Sequence, residues 1–199
     1  MALNEITMFG EKCKPEESKK MLRYYEPLAL EKDPRGFAVG FSGGKDSLVL
    51  AKIFQEAEVK HFYIYNITGL DPAELVFFKR KCFQEYRDKG YLCYDFMYEK
   101  NIIQMMEEHL TPPSRRMRYC CEELKEKRRP EIAGCLLSFG VRKFESNNRM
   151  ARRNELEVAH SRKKVKIFSF DDNENRREFE TCYSKGEPEI RVNPLSYWY

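Results

Sequence analysis

The sequence predicts an α/β fold with a parallel sheet covered by helices on both faces. Three observations predict it. Short apolar runs alternate with amphipathic stretches along most of the chain. The runs are rich in β-branched and aromatic residues, and the stretches repeat their apolar residues at helical spacing. Gly and Pro punctuate the junctions, as in successive βαβ units.

The elements follow in order. Pro15 to Glu31 reads as a helix with Met21, Leu22, Tyr25, Leu28 and Ala29 on one side. Phe37 to Phe41 is a short apolar run suited to a buried strand, and Ser42-Gly43-Gly44-Lys45 is a turn. Asp46 to Glu58 is helical, with Leu48, Val49, Ile53 and Phe54 expected inward. His61 to Ile67 reads as a second strand. Asp71-Pro72 starts a helix that runs to about Lys89 and stops at Gly90. Tyr91 to Met97 is a third strand. Asn101 to Leu110 is a helix ended by Pro112-Pro113, and a basic helix follows across Cys121 to Arg129. Gly134 to Phe139 is a fourth strand, and Glu145 to Ala159 reads as a charged helix. Val165 to Phe170 and Glu178 to Tyr183 are expected to pair as a β-hairpin insertion, with Ile190 to Val192 extended beyond it.

The chain has 199 residues, enough for one sizeable domain and too few for two with independent cores. Residues 1–199 are therefore expected to form one domain, with 1–35 a helical lead-in and 161–189 the insertion. An apolar fraction of 42% excludes a disordered or collagen-like chain. No run approaches the roughly 20 apolar residues of a membrane-spanning helix. The first 30 residues hold no continuous apolar core, so no secretory signal is read. A soluble, cytoplasmic protein without membrane partners is expected. Seven cysteines, an odd number, argue against a disulfide framework. His61, His109 and His160 are isolated and read as packing or surface residues, and no zinc-ligand spacing occurs.

The net charge of +4 hides an asymmetry. Residues 111–170 hold 16 Lys and Arg against 7 Asp and Glu, a net of +9, and the rest of the chain is net negative. A basic segment suits an anionic ligand: a nucleotide, a sulfate or a nucleic acid.

Ser42-Gly43-Gly44-Lys45-Asp46-Ser47 follows a buried strand and opens a helix. Two glycines permit a tight turn and close backbone approach. Exposed N–H groups and the helix dipole then favour a phosphate, with the Ser42 and Ser47 hydroxyls and the Lys45 ammonium as further contacts. The Walker A spacing is absent, since Val39 and Asp46 stand where it requires Gly and Ser or Thr. The Rossmann glycine fingerprint is absent as well. In parallel α/β sheets ligands bind at the carboxyl ends of the strands, at the switch point, and this loop falls there.

This loop resembles the signature of the PP-loop superfamily of adenine nucleotide enzymes. Four further segments resemble the phosphoadenosine phosphosulfate (PAPS) reductase family in the right order. They are Thr68-Gly69-Leu70-Asp71-Pro72-Ala73-Glu74, Arg118-Tyr119-Cys120-Cys121-Glu122-Glu123-Leu124-Lys125, Gly140 to Arg149, and Val192-Asn193-Pro194-Leu195-Ser196-Tyr197-Trp198. The resemblance implies a Rossmann-like, adenine nucleotide α-hydrolase-like fold with five parallel strands. It implies that the loop holds the phosphate or phosphosulfate end of the nucleotide, with adenine near the second strand and Thr68-Gly69. Lys125, Arg142 and Arg149 would meet sulfate or phosphate oxygens, which suits the fork of Arg.

The pattern also departs from the family. The family's thioredoxin-dependent members carry a nucleophilic cysteine in a C-terminal Glu-Cys-Gly-x-His motif, which this sequence lacks; Cys182 does not resemble it. The nucleophile is missing, or comes from another residue or another chain. The iron–sulfur branch pairs Cys-Cys with a later Cys-x-x-Cys. Cys120-Cys121 matches the first half only, so a redox or cluster role stays open for the pair, and a cluster held by this chain alone is not expected.

Three functions remain. One is sulfonucleotide reduction, with PAPS or adenosine phosphosulfate (APS) as substrate, a thiol donor protein, and release of sulfite by thiol attack. The second is an ATP pyrophosphatase with Mg²⁺ that adenylates a substrate for sulfur transfer to nucleic acid. The third is a catalytically incomplete nucleotide-binding subunit that works with a partner.

Overall fold

In the computed structural model the described residues are 14–114, 117, 119–121, 123–124, 129–142, 156–159, 165–168, 178–181, 189–196 and 198. The first helix, α1 (Lys14–Lys32), buries Met21, Leu22, Tyr25 and Ala29, the stripe its spacing predicts. Ser18 on the same helix is buried. Its hydroxyl donates to the Pro194 carbonyl at 2.6 Å and accepts from the Trp198 indole N–H at 3.1 Å. Two polar contacts thereby tie α1 to the Asn193–Trp198 segment.

The strand β1 (Phe37–Gly40) is central. Parallel β2 (His61–Ile67) lies on one side of it and parallel β4 (Leu137–Ser138) on the other. Beyond β2 lies β3 (Cys93–Met97), and beyond β4 lies β8 (Glu189–Val192), both parallel. These are the five parallel strands expected. A sixth strand, β5 (Leu156–Ala159), pairs antiparallel with β8 and closes that edge, giving the order β3-β2-β1-β4-β8-β5. This corrects the helix expected to run through Ala159. An open edge of β8 would leave backbone groups unpaired, and pairing there outweighs the helical propensity of Leu156–Ala159. Residues 145–155 lie outside the described set. The expected hairpin forms from β6 (Val165–Phe168) and β7 (Glu178–Thr181).

Side chains alternate across the sheet. Phe37, Val39, Tyr63 and Tyr65 point into one core, with α1, α2 (Lys45–Ala57) and α3 (Ala73–Asp88). Ala38, Phe62, Ile64 and Leu137 point into the other, with Phe96 and Cys135. One sequence expectation fails on α2. Val49 is exposed, while Leu50, Ala51, Ile53 and Phe54 are buried. Four apolar residues in a row from Leu48 to Ala51 cannot all face one side of a helix. Helix α4 (Ile102–His109) begins with a capping box between Asn101 and Gln104. It packs Ile102 and Met105 against Tyr119 and Leu124, next to the short helical turn α5 (Tyr119–Cys121). Among the described residues no helix is long and apolar enough to cross a membrane.

His61 begins β2 in a buried position. Its ring nitrogens lie 2.7 Å from the Val59 carbonyl and 3.0 Å from the Tyr63 hydroxyl. A neutral ring satisfies both, donating from Nδ1 and accepting at Nε2. Burial pushes its pKa down to about 4. Unfolded, it would titrate near 6.5. The fold therefore keeps this contribution in full above pH 6.5. It loses the contribution as pH falls from 6.5 towards 4, where only the unfolded chain takes up the proton. Between pH 7.5 and 4.5 the loss is expected to be about 2–3 kcal/mol. Asp33, held at about 2 by the Arg35 fork, adds to acid unfolding only below about pH 4. Urea unfolding of the wild type and His61→Gln at the two pH values tests this. Parallel pH profiles would refute the assignment.

Candidate active site

The sheet order reverses direction between β1 and β4, and a cleft of about 500 Å³ opens at their carboxyl ends. That volume lies within the range usual for small-molecule sites, about 300–1,000 Å³. Its floor is the turn from β1 into α2. The Phe41 N–H still pairs with the Ile64 carbonyl at 2.9 Å, after which the chain leaves the sheet. Ser47 donates to the Gly44 carbonyl at 2.8 Å, and Ser42 donates to the Ser47 oxygen at 3.3 Å. The Gly44 N–H faces the Ser42 hydroxyl at 3.4 Å. These contacts fix the loop. They place no side-chain cap on α2, whose N-cap is Gly44. The first N–H groups of the helix thus lie at the cleft without a capping oxygen, the arrangement that suits an anion.

Of the residues expected at the site, Ser42, Gly44, Lys45, Asp46, Ser47 and Thr68 line the cleft. Gly43 and Gly69 do not line it. Gly43 is backed by α3, since a Cβ there would meet Leu75 Cδ1 at 2.7 Å. Arg142 reaches the loop, with its Nε 3.3 Å from Asp46 Oδ1. The pair is electrostatic, because the alignment falls short of a hydrogen bond. Lys125 and Arg149 lie outside the described residues.

Two walls flank the loop. On one side, Phe139 lays its ring over Gly40, and Gly140 and Val141 continue the wall. They follow β4, the expected fourth strand, and Gly140 opens the family-like segment Gly140 to Arg149; the pairing of β4 with β1 is what brings them to the loop. On the other side stand Tyr65, Asn66 and Asp71. The Tyr65 hydroxyl donates to Asp71 Oδ2 at 2.7 Å, and the Thr68 hydroxyl donates to the same oxygen at 3.0 Å. Thr68 also accepts from the Leu70 N–H at 3.2 Å. Burial, then the bond to Asp71, raises the Tyr65 pKa and keeps the phenol protonated. Behind Tyr65, the buried Lys79 ammonium lies 4.6 Å from the ring centroid and pairs with Asp95 at 2.7 Å. The family-like segment Thr68 to Glu74 signals this loop and contains Asp71, whose bonds to Tyr65 and Thr68 the sequence does not show.

Cys120 and Cys121 have sulfurs 4.0 Å apart beside Tyr119, whose hydroxyl donates to the Thr111 carbonyl at 2.7 Å. They do not line the cleft. Among the described residues no three His, Cys, Asp or Glu side chains gather as metal ligands. Burial pushes the Cys93 thiol up to about 11. Burial and the contact with Asp33 push Cys135 up to about 12, so both stay protonated at neutral pH.

Three solved structures of FMN adenylyltransferase from Candida glabrata resemble the chain in fold. One is similar at 13% identity with a TM-score of 0.48, covering 93% of this chain and 50% of that one. The complex with ATP gives 12%, 0.46, 93% and 50%. The complex with FAD and inorganic pyrophosphate gives 12%, 0.48, 93% and 51%. The chain spans about half the length of these proteins. No curated protein sequence matches it. The model of the phosphoadenosine phosphosulfate reductase domain matches residues 36–199, from the glycine before β1 through the loop, the cleft walls and β8. The chain belongs to the phosphoadenosine phosphosulfate reductase domain family.

Proposed function

We propose that the cleft binds an adenine nucleotide with its phosphate chain on Ser42–Ser47, and that the protein acts on a sulfonucleotide. The observation that carries the reading is the uncapped start of α2 inside the switch-point cleft, with Lys45 on its first turn and Arg142 beside Asp46. Backbone N–H groups, one ammonium and one guanidinium suit a spread-out anion better than a neutral ligand. Family membership favours a phosphosulfate as that anion.

In this reading a thiolate attacks the sulfur of the phosphosulfate. A sulfur–sulfur bond forms, the sulfur–oxygen bond to the phosphate breaks, and the nucleotide leaves as its 5′-phosphate. A second thiol then displaces sulfite and leaves a disulfide, so two thiols are oxidised for each sulfur reduced. The thiols come from a donor protein, a partner subunit or residues outside the described set. The loop's part is to hold the phosphate end and stabilise the leaving phosphate's charge.

A second reading, ATP pyrophosphatase chemistry, is favoured by Asp46. Its carboxylate lines the cleft beside the phosphate loop and would hold Mg²⁺, which shields the charge of a triphosphate. Nucleic acid would then be the acceptor.

Parallel calorimetric titrations with PAPS, APS and ATP plus Mg²⁺ decide between them. Tighter binding of a phosphosulfate than of ATP supports the first reading. Preference for ATP with Mg²⁺ replaces it with the second. No heat with any of the three overturns the nucleotide site itself.

A further inference from the structure

The charged side chains that line the cleft come from two segments. Lys45 and Asp46 stand at the start of α2, and Asp71 follows β2. Asp71 is held in place. Both hydrogen bonds it receives among the described residues, from Tyr65 and Thr68, land on Oδ2. Oδ1 is left as the acceptor on a residue that lines the cleft. Its position relative to the phosphate loop follows from α3. Leu75, in the first turn of α3 and four residues after Asp71 in the chain, is the residue packed against Gly43. The segment that carries Asp71 into α3 thus lies beside the loop, and both line the same cleft. In a nucleotide whose phosphates sit on the loop, the group next along the molecule is the ribose, not the base.

We propose that Asp71 is a specificity residue that accepts a hydrogen bond from a ribose hydroxyl and rejects a phosphate at that position. The proposal rests on the nucleotide reading above and narrows it. Within the sulfonucleotide class it selects APS over PAPS, and within adenine nucleotides it selects those with an unmodified ribose. A hydroxyl gives the carboxylate a donor. A 3′-phosphate sets two anions together in a cleft where the Arg142 guanidinium is already placed against Asp46.

The test uses adenosine 5′-monophosphate, adenosine 3′,5′-bisphosphate and 3′-deoxyadenosine 5′-monophosphate, titrated calorimetrically against the wild type and Asp71→Asn. The wild type is expected to bind the monophosphate about tenfold or more tightly than the bisphosphate, and to lose about fivefold or more when the 3′-hydroxyl is removed. In Asp71→Asn, whose amide carries no charge, the ratio of monophosphate to bisphosphate should fall to about threefold or less. The two wild-type ratios keep the proposal testable should the variant fail to fold. Equal binding of monophosphate and bisphosphate by the wild type, or an unchanged ratio in Asp71→Asn, overturns the role of Asp71 and leaves the nucleotide site intact. No binding of any of the three overturns the nucleotide reading and this proposal with it.

Discussion

Lys45→Ala is expected to weaken binding of the phosphate-bearing ligand by about 10–100-fold, while leaving the thermal midpoint within about 2 °C. Lys45 is exposed on the first turn of α2 and lines the cleft, so its removal takes away no packing. A charge-assisted hydrogen bond to a phosphate oxygen contributes about 1.5–3 kcal/mol, which sets the range. The neighbouring Ser47 makes the comparison informative. It is buried and its hydroxyl donates to the Gly44 carbonyl, so Ser47→Ala should cost stability of about 1 kcal/mol by loosening the loop. A charge lost at the ligand and a bond lost within the loop thus separate into binding and stability. Titration of both variants with the nucleotide that the wild type binds best, beside thermal melts, reads the difference. Unchanged affinity in Lys45→Ala would remove the cation from the phosphate site.

Much of this site was legible because its chemistry is local. Six consecutive residues make the loop, and the strand before and helix after them were readable from apolar runs and spacing alone. The second strand, His61–Ile67, is equally plain, since a buried parallel strand is apolar on both faces. What stayed hidden depends on non-local pairing. Strand β4 is two residues long, and its register with Ala38 and Val39 is what sets Phe139 and Val141 beside the loop. Strand β5 reads as a helix because Glu, Arg and Ala dominate the segment around it, and only the free edge of β8 makes it a strand. Asp71 illustrates the same limit. Asp before Pro is a common helix entry, and its second role appears only once Tyr65, six residues earlier, donates to it across the loop. Arg142 was readable as a cation for an oxyanion. Its ion pair with Asp46 was not, because two different loops must meet to form it.

Gly36→Ala should be the most damaging of the conservative substitutions in the sheet, costing about 3–5 kcal/mol and lowering the thermal midpoint by about 10 °C. Two costs combine there. Gly36 has φ +82°, a left-handed conformation that costs an L-residue about 1–2 kcal/mol. A Cβ would also stand 2.0 Å from the Lys60 carbonyl oxygen and 2.5 Å from its carbon. That oxygen accepts the Phe37 N–H at 3.0 Å, the contact that starts the pairing of β1 with β2. The backbone cannot move away without giving up this bond, and the strand it would disturb carries Phe37, Ala38 and Val39 in the fully buried centre of the sheet. Gly90→Ala separates the two costs. Gly90 has φ +90°, but its Cβ would meet nothing within 4 Å, so it should lose only the conformational part, about 1 kcal/mol. Urea unfolding of both variants tests the account. Equal losses would mean that the Lys60 carbonyl yields freely, and that the entry to β1 is not where the central sheet is held.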